Sequence, residues 1–240
     1  MFRALPPGYR GRVMNSEAAN ILVRYHLDAS IRELEKEAKD ARFNTLCIRE
    51  LASASSVLGL HDVAERALWL LRTAPDNAFW AGMITNCKLP KTVPDRLRNV
   101  GTPDELEKRH PPYHEETIVG RIRSYSQAQG HFALCLEGNA QEAQSNATGL
   151  PLEEVGDTLA VLGDFDSAML VARDSRLESF RQRGVLLVLV IEFFRRSRIH
   201  SCEAILNELE SSGLSAWNRI SLALGFAGRE PWGGYPYPDW

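Results

Sequence analysis

The sequence predicts an all-α protein made of stacked antiparallel helix pairs, either a repeat-like α-α superhelix or an irregular helical bundle. Three observations carry this. One segment, Val185-Leu-Leu-Val-Leu-Val-Ile191, is wholly apolar; it continues after Glu192 as Phe193-Phe194 and stops at Arg195-Arg196. No alternating run of β-branched and aromatic residues exists elsewhere to pair with it as a strand, and a strand needs partners for its backbone N–H and C=O groups. The rest of the chain shows apolar residues at helical spacing between helix start and stop signals.

The apolar segment therefore reads as a helix over roughly 176 to 197. Leu177 and Phe180 carry helical spacing into it, and Arg195, Arg196 and Arg198 complement the negative end of its dipole. Apolar on every side, it must be covered on every side. Burying these side chains is worth on the order of 10–20 kcal/mol as an upper bound. The run is too short to span a bilayer, which takes about 20 apolar residues.

Apolar residues make up 44% and charged residues 25% of the 240, the proportions of a soluble globular chain. A net charge of −3 with interspersed signs disfavours a nucleic-acid-binding surface. Cys47, Cys87, Cys135 and Cys202 are far apart and read as packed thiols. Residues 1–15 contain Pro6-Pro7-Gly8 and three arginines but no apolar core of a signal peptide, so a basic arm and a cytoplasmic location are expected.

In order, Ser16 caps a first helix with Ile21, Leu22 and Tyr25. The box Ser30-x-x-Glu33 opens a second with Ile31, Leu34, Ala38 and Ala41 inward and Glu35 and Lys39 on a solvated face. Leu46 to Leu58 and a helix opened by Asp62-x-x-Glu65 form a hairpin about Gly59. From Pro75 to His114 prolines interrupt the pattern, and only Thr102-Pro103-Asp104-Glu105 is a strong helix start. Beyond, Ile118, Ile122, Tyr125, Gln129, Phe132 and Leu136 keep helical spacing across Gly130. Shorter helices follow at 140–147, 152–162 and 166–173. After the apolar helix, Cys202, Ile205, Leu206 and Leu209 form a stripe closed by Gly213, and Trp217, Ile220, Ser221 and Leu224 one closed by Gly225. The expected organisation is an arm (1–15), a helical subdomain (16–87), a proline-rich connection (88–114), a repeat-like helical subdomain (115–230) and an aromatic, proline-rich tail (231–240).

Three inter-helix turns share a glycine followed five residues later by alanine: Gly59 with Ala64, Gly138 with Ala143, and Gly163 with Ala168. Glycine permits the tight turn, and a small residue on the next helix lets the pair approach. With Val155, Gly156, Leu159 and Ala172, this pattern resembles the tetratricopeptide repeat family, whose unit is a helix–turn–helix of about 34 residues. The resemblance covers about half of the chain, and it places the next small residue near Ala204. It departs from the family where Gly138 and Gly163 are only 25 residues apart and where the consensus tryptophan and proline positions are mostly unoccupied.

Sites are sparse. No G-x-S-x-G, H-E-x-x-H or Walker pattern occurs, so no catalytic, cofactor-binding or metal-binding residue is assigned. His110 and His114, spaced i and i+4, cannot share a helix face with Pro111-Pro112 between them. With Glu116 they mark the alternative ligand site of a helical enzyme or small-ligand binder. Glu192, inside the apolar run, is expected to pair with Arg195 and Arg196. Trp232, Tyr235, Tyr237 and Trp240 crowd the tail, which either folds back over the last helices or docks into a partner or a second copy. The leading expectation is a non-enzymatic helical scaffold that binds a protein or peptide.

Overall fold

The computed structural model describes residues 17–40, 44–73 and 103–230. Among these residues the protein is all-α, and the one β feature is an isolated antiparallel bridge between Pro112 and Arg229. In chain order the helices are α1 (Glu17–Lys39), α2 (Thr45–Val57), α3 (His61–Thr73), α4 (Pro103–Arg109), α5 (Glu115–Ser126), α6 (Gly130–Leu136), α7 (Ala140–Asn146), α8 (Leu150–Leu162), α9 (Phe165–Ala172), α10 (Ser179–Arg195), α11 (Ile199–Ser211) and α12 (Ala216–Phe226). No described helix is long and apolar enough to cross a membrane.

The described residues form two compact units. One joins those up to Pro112 with those from Leu214 on, and the other is Tyr113–Gly213. The expected boundaries shift accordingly. The joint falls at Pro112, and α12, expected in the C-terminal subdomain, belongs with the first unit. The physical reason is a return contact of long sequence separation. Ser30 Oγ donates to the carbonyl of Ala216, 3.1 Å away, and the His26 ring lies 5.7 Å from that of Phe226. The expected arm at 1–15, the start of the proline-rich connection and the tail at 231–240 lie outside the described residues.

In the first unit α1 runs unbroken through Ser30, where the sequence predicts a new helix. A mid-helix serine can satisfy its hydroxyl on the carbonyl four residues back instead of capping. Ser30 Oγ does so on His26 O at 2.9 Å, while Leu27, Ile31 and Leu34 continue one buried stripe. Glu35, expected on a solvated face, accepts a bidentate pair from Arg66 of α3 at 2.7 and 2.8 Å. Asn44 caps α2 by accepting from Cys47 N–H at 3.0 Å. Asp62, expected as a cap, sits inside the first turn of α3 and pairs with Arg24 of α1.

In the second unit α10 is the rod around which the others lie. All ten residues from Val185 to Phe194 are buried, and α8, α9 and α11 pack against them. The apolar helices approach closely at Gly156 of α8, where a Cβ would stand 2.8 Å from Val171 Cγ1 and 2.9 Å from Val185 Cγ1. The helix expected across Gly130 is two, α5 and α6. Backbone N–H groups of Ala128 and Gln129 both turn back to Tyr125 O, and Gly130 opens α6. Ile122 and Phe132 stay buried on both sides of the break, which is why the periodicity survives it.

The three glycine turns have one geometry. Gly59, Gly138 and Gly163 have φ of 73°, 80° and 87°. At each, the following N–H reaches the carbonyl five residues before it and the glycine N–H reaches the one three before. This is the paired closure of a left-handed helix stop: Leu60 to Ser55 at 2.8 Å, Asn139 to Leu134 at 2.8 Å, Asp164 to Leu159 at 2.9 Å. Ala64, Ala143 and Ala168 are fully buried. A further turn of the same geometry joins α10 to α11 without glycine. Ser197, at φ 57°, is the one described non-glycine residue with positive φ, and Arg198 N–H reaches Phe193 O at 2.8 Å. It lies thirty-four residues after Gly163, and the small buried residue five positions on is Cys202. Ala204, where the repeat spacing places that residue, is exposed. The last helix likewise runs past Gly225 to Phe226, and its left-handed stop is Gly228 at φ 72°.

A left-handed conformation costs an L-residue about 1–2 kcal/mol, part of which glycine gives back as lost backbone entropy. Ser197→Gly is therefore expected to stabilise the protein by about 0.5–1 kcal/mol. Urea denaturation followed by helical ellipticity measures this; an unchanged or lowered midpoint would show that the turn carries no such strain.

Candidate functional site

Polar groups gather around His110 in the first unit and, in the second, at the C-terminal end of α10 and on α8. In the first unit His110, at the end of α4, is wholly buried. Its Nε2 lies 3.0 Å from Ser53 Oγ and 3.5 Å from Glu50 Oε1, both on α2. Glu50 is held in turn by Arg109, whose Nε donates at 3.0 Å. Hydroxyl and carboxylate both face the same imidazole nitrogen, whereas a nucleophile–base–acid relay needs the acid on the other one. Nδ1 has no hydrogen-bond partner among the described residues, and Ser53 is itself buried. The cluster thus holds α4 against α2. Arg229 adds to the same junction, donating to His110 O at 2.7 Å and to Glu107 at 2.6 Å.

The other members of the sequence-derived ligand set lie in the second unit. His114 is the exposed N-cap residue of α5, in extended backbone and with no cap bond from its side chain, and Glu116 is exposed in the first turn. Among the described residues, no three His, Cys, Asp or Glu side chains are placed to hold a metal ion. The aromatic candidates Trp232, Tyr235, Tyr237 and Trp240 fall outside the described residues.

The second place is the C-terminal end of α10. Glu192 is buried there, and its nearest partner is one that helical spacing could not reveal: Tyr113 Oη donates to Glu192 Oε1 at 2.8 Å. The expected ion pairs are present but longer, 3.9 Å to Arg195 Nη1 and 3.6 Å to Arg196 Nε. Arg195 stacks on the Tyr113 ring. Burial raises the Glu192 carboxyl above its ordinary range, against the hydrogen bond from Tyr113 and the two arginines. Burial likewise lowers the Arg195 guanidinium and, with the charge of Glu192, raises the Tyr113 phenol.

Arg196 bridges the turn after α8 and the turn after α10. Its Nη2 donates to Val161 O at 2.8 Å and to Glu115 at 3.2 Å, and its guanidinium lies over Gly163, where a Cβ would be 3.3 Å from Nη1. Arg198 stacks over Phe165, the first residue of α9, at 4.7 Å from the ring centre. On α8, Asp157 has Oδ1 buried without a hydrogen bond. Its carboxyl is raised well above the usual range by burial and then by Glu153 and Glu154. Glu153 accepts from Arg181 at 2.6 Å, and Glu154 lies 3.1 Å from His131 Nε2.

No family model matches this chain, and searches of curated proteins and of solved structures find no match either. Fold and site define an all-α protein with repeated helix-pair turns and a charged edge.

The buried imidazoles make the first unit acid-sensitive. Burial lowers His110 to about 3, helped by the charges of Arg109 and Arg229; burial lowers His26 to about 3, helped by Arg219. Below pH 6.5 the unfolded chain binds protons that the folded chain does not until about pH 3, so stability falls as pH drops through that window. The loss is about 1.4 kcal/mol per pH unit for each histidine. His110→Gln keeps a polar group towards Ser53 and does not titrate. Urea midpoints between pH 6.5 and 5 are expected to fall less steeply in this variant by about one histidine's share, and parallel slopes would contradict a neutral buried His110.

Proposed function

We propose that this protein is a non-enzymatic helical scaffold that binds a protein or peptide, and that Tyr113–Gly213 is a degenerate tetratricopeptide-like array. The observation that carries the reading is the recurrence of one turn, at Gly163 and again at Ser197, each joining a helix pair with a small buried residue five positions on. Such units cannot bury their apolar faces alone and stack on a shared core, leaving extended outer faces for recognition. Leu170 and Phe180, on consecutive helices of that unit, remain largely exposed, at 64% and 61%. Exposed large apolar groups are contact area available to a partner. Cys47, Cys135 and Cys202 are separate buried thiols, in keeping with a reducing cytoplasmic setting.

The test is selection of peptides from a random display library on the immobilised full chain, followed by hydrogen exchange with and without the best peptide. Reproducible enrichment, with slowed exchange in helices α8 to α11, is the expected result. Absence of enrichment over the bare support, with helical ellipticity intact, would contradict it.

A further inference from the structure

Asp157 of α8 is a carboxyl group whose neighbours have the wrong sign. The residue is half-buried, its Oδ1 is enclosed, and that oxygen accepts no hydrogen bond among the described residues. On the same helix Glu153 and Glu154 precede it by four and three residues, so the three carboxyls share one face. The helices packed against α8 do not offset this. Arg181 of α10 donates at 2.6 Å to Glu153, which lies so close along α10 that a Cβ on Gly184 would stand 2.5 Å from Glu153 Oε1. His131 Nε2 of α6 lies 3.1 Å from Glu154 Oε2. Both of these groups are thus taken by a glutamate, and α5, α7 and α9 bring no charge to bear on Asp157.

An enclosed carboxylate with no donor, beside two negative charges, is costly on both counts, and the cost goes when it takes up a proton. Burial first, then Glu153 and Glu154, hold the Asp157 carboxyl well above the usual range. Protonation also gives it an O–H, so the neutral carboxyl attracts the neighbouring glutamates as a donor instead of repelling them. The accessible part of the residue lets that proton exchange with water.

We propose that Asp157 is a proton-operated latch on the seam of α6, α8 and α10: neutral, it lets α8 seat between its neighbours, and ionised, it loosens their packing. The sign is opposite to that of the buried histidines. A carboxyl raised by folding holds a proton that the unfolded chain has released. The destabilisation it causes is therefore complete above its raised value and is removed as pH falls towards the ordinary aspartate range of about 4. Mild acid thus loosens the first unit and tightens the second, which makes pH a regulator of the helix-pair array whatever that array binds. The proposal does not depend on the scaffold reading.

Two measurements on the full chain test it. In protein carrying carbon-13 at the aspartate carboxyls, the Asp157 resonance, identified by its loss in Asp157→Asn, is expected to titrate about one pH unit or more above the ordinary aspartate range. Amide protection factors, corrected for intrinsic exchange, are expected to rise in α8 by up to about tenfold for each pH unit from about pH 7 down to about pH 5. The rise is expected to be clearly smaller in Asp157→Asn, whose amide does not titrate. His131, Glu153, Glu154 and Arg181 are present in both proteins, so the difference belongs to Asp157. An Asp157 resonance titrating near the ordinary range, or equal slopes in the two proteins, overturns the proposal. Should the variant fail to fold, the resonance assigned through bonds in the unsubstituted chain still decides.

Discussion

The Tyr113–Gly213 unit depends on one constraint: a helix with no polar face has to be covered all round. From Val185 to Phe194 α10 presents apolar side chains in every direction, apart from Glu192, and α8, α9 and α11 supply the cover. Close packing makes the residue at each contact matter. Gly156 is the clearest case, since the distances to Val171 and Val185 leave no room for a methyl group between α8 and its two neighbours. The same constraint explains the chemistry at the end of α10. A carboxylate drawn into this core is costly unless satisfied, and Tyr113, Arg195 and Arg196 together satisfy Glu192.

The turns translate that packing into a surface. A left-handed stop reverses the chain within two residues, so each helix returns along the one before it and the small buried residue follows at a fixed distance. The turns at Gly163 and Ser197 lie close together, with Arg196 resting on Gly163 and donating to Val161 O. In this chain two residues at the edge they form are arginines, Arg196 and Arg198, which bridge to Val161 O and stack over Phe165 while remaining exposed. The charged edge is thus a consequence of the helix-pair architecture combined with the local sequence Arg195-Arg196-Ser197-Arg198.

Much of the fold was legible in the sequence, because helix periodicity and glycine stops are local signals. The apolar run marked α10, and Gly59, Gly138 and Gly163 marked three turns. The end of the apolar helix near residue 197 was legible from its arginines, but the left-handed geometry of Ser197 was not: a serine in that conformation carries no sequence signature, and the spacing pointed to Ala204 where the buried small residue is Cys202. Ser30 misled in the opposite sense, its cap signature being overridden by hydrogen bonds to His26 and Ala216, a residue far away in sequence. Of the polar sites, the pairing of Glu192 with Arg195 and Arg196 followed from helical spacing. Tyr113 over Glu192, and Ser53 beside His110, are contacts between distant segments that no spacing rule reaches.

Amide hydrogen exchange across the Tyr113–Gly213 unit tests the central claim most directly. If α10 is the enclosed rod, the amides of residues 185–194 exchange most slowly in that unit, opening only with its global unfolding. Exchange in that stretch as fast as in the short, peripheral α7 would contradict the account.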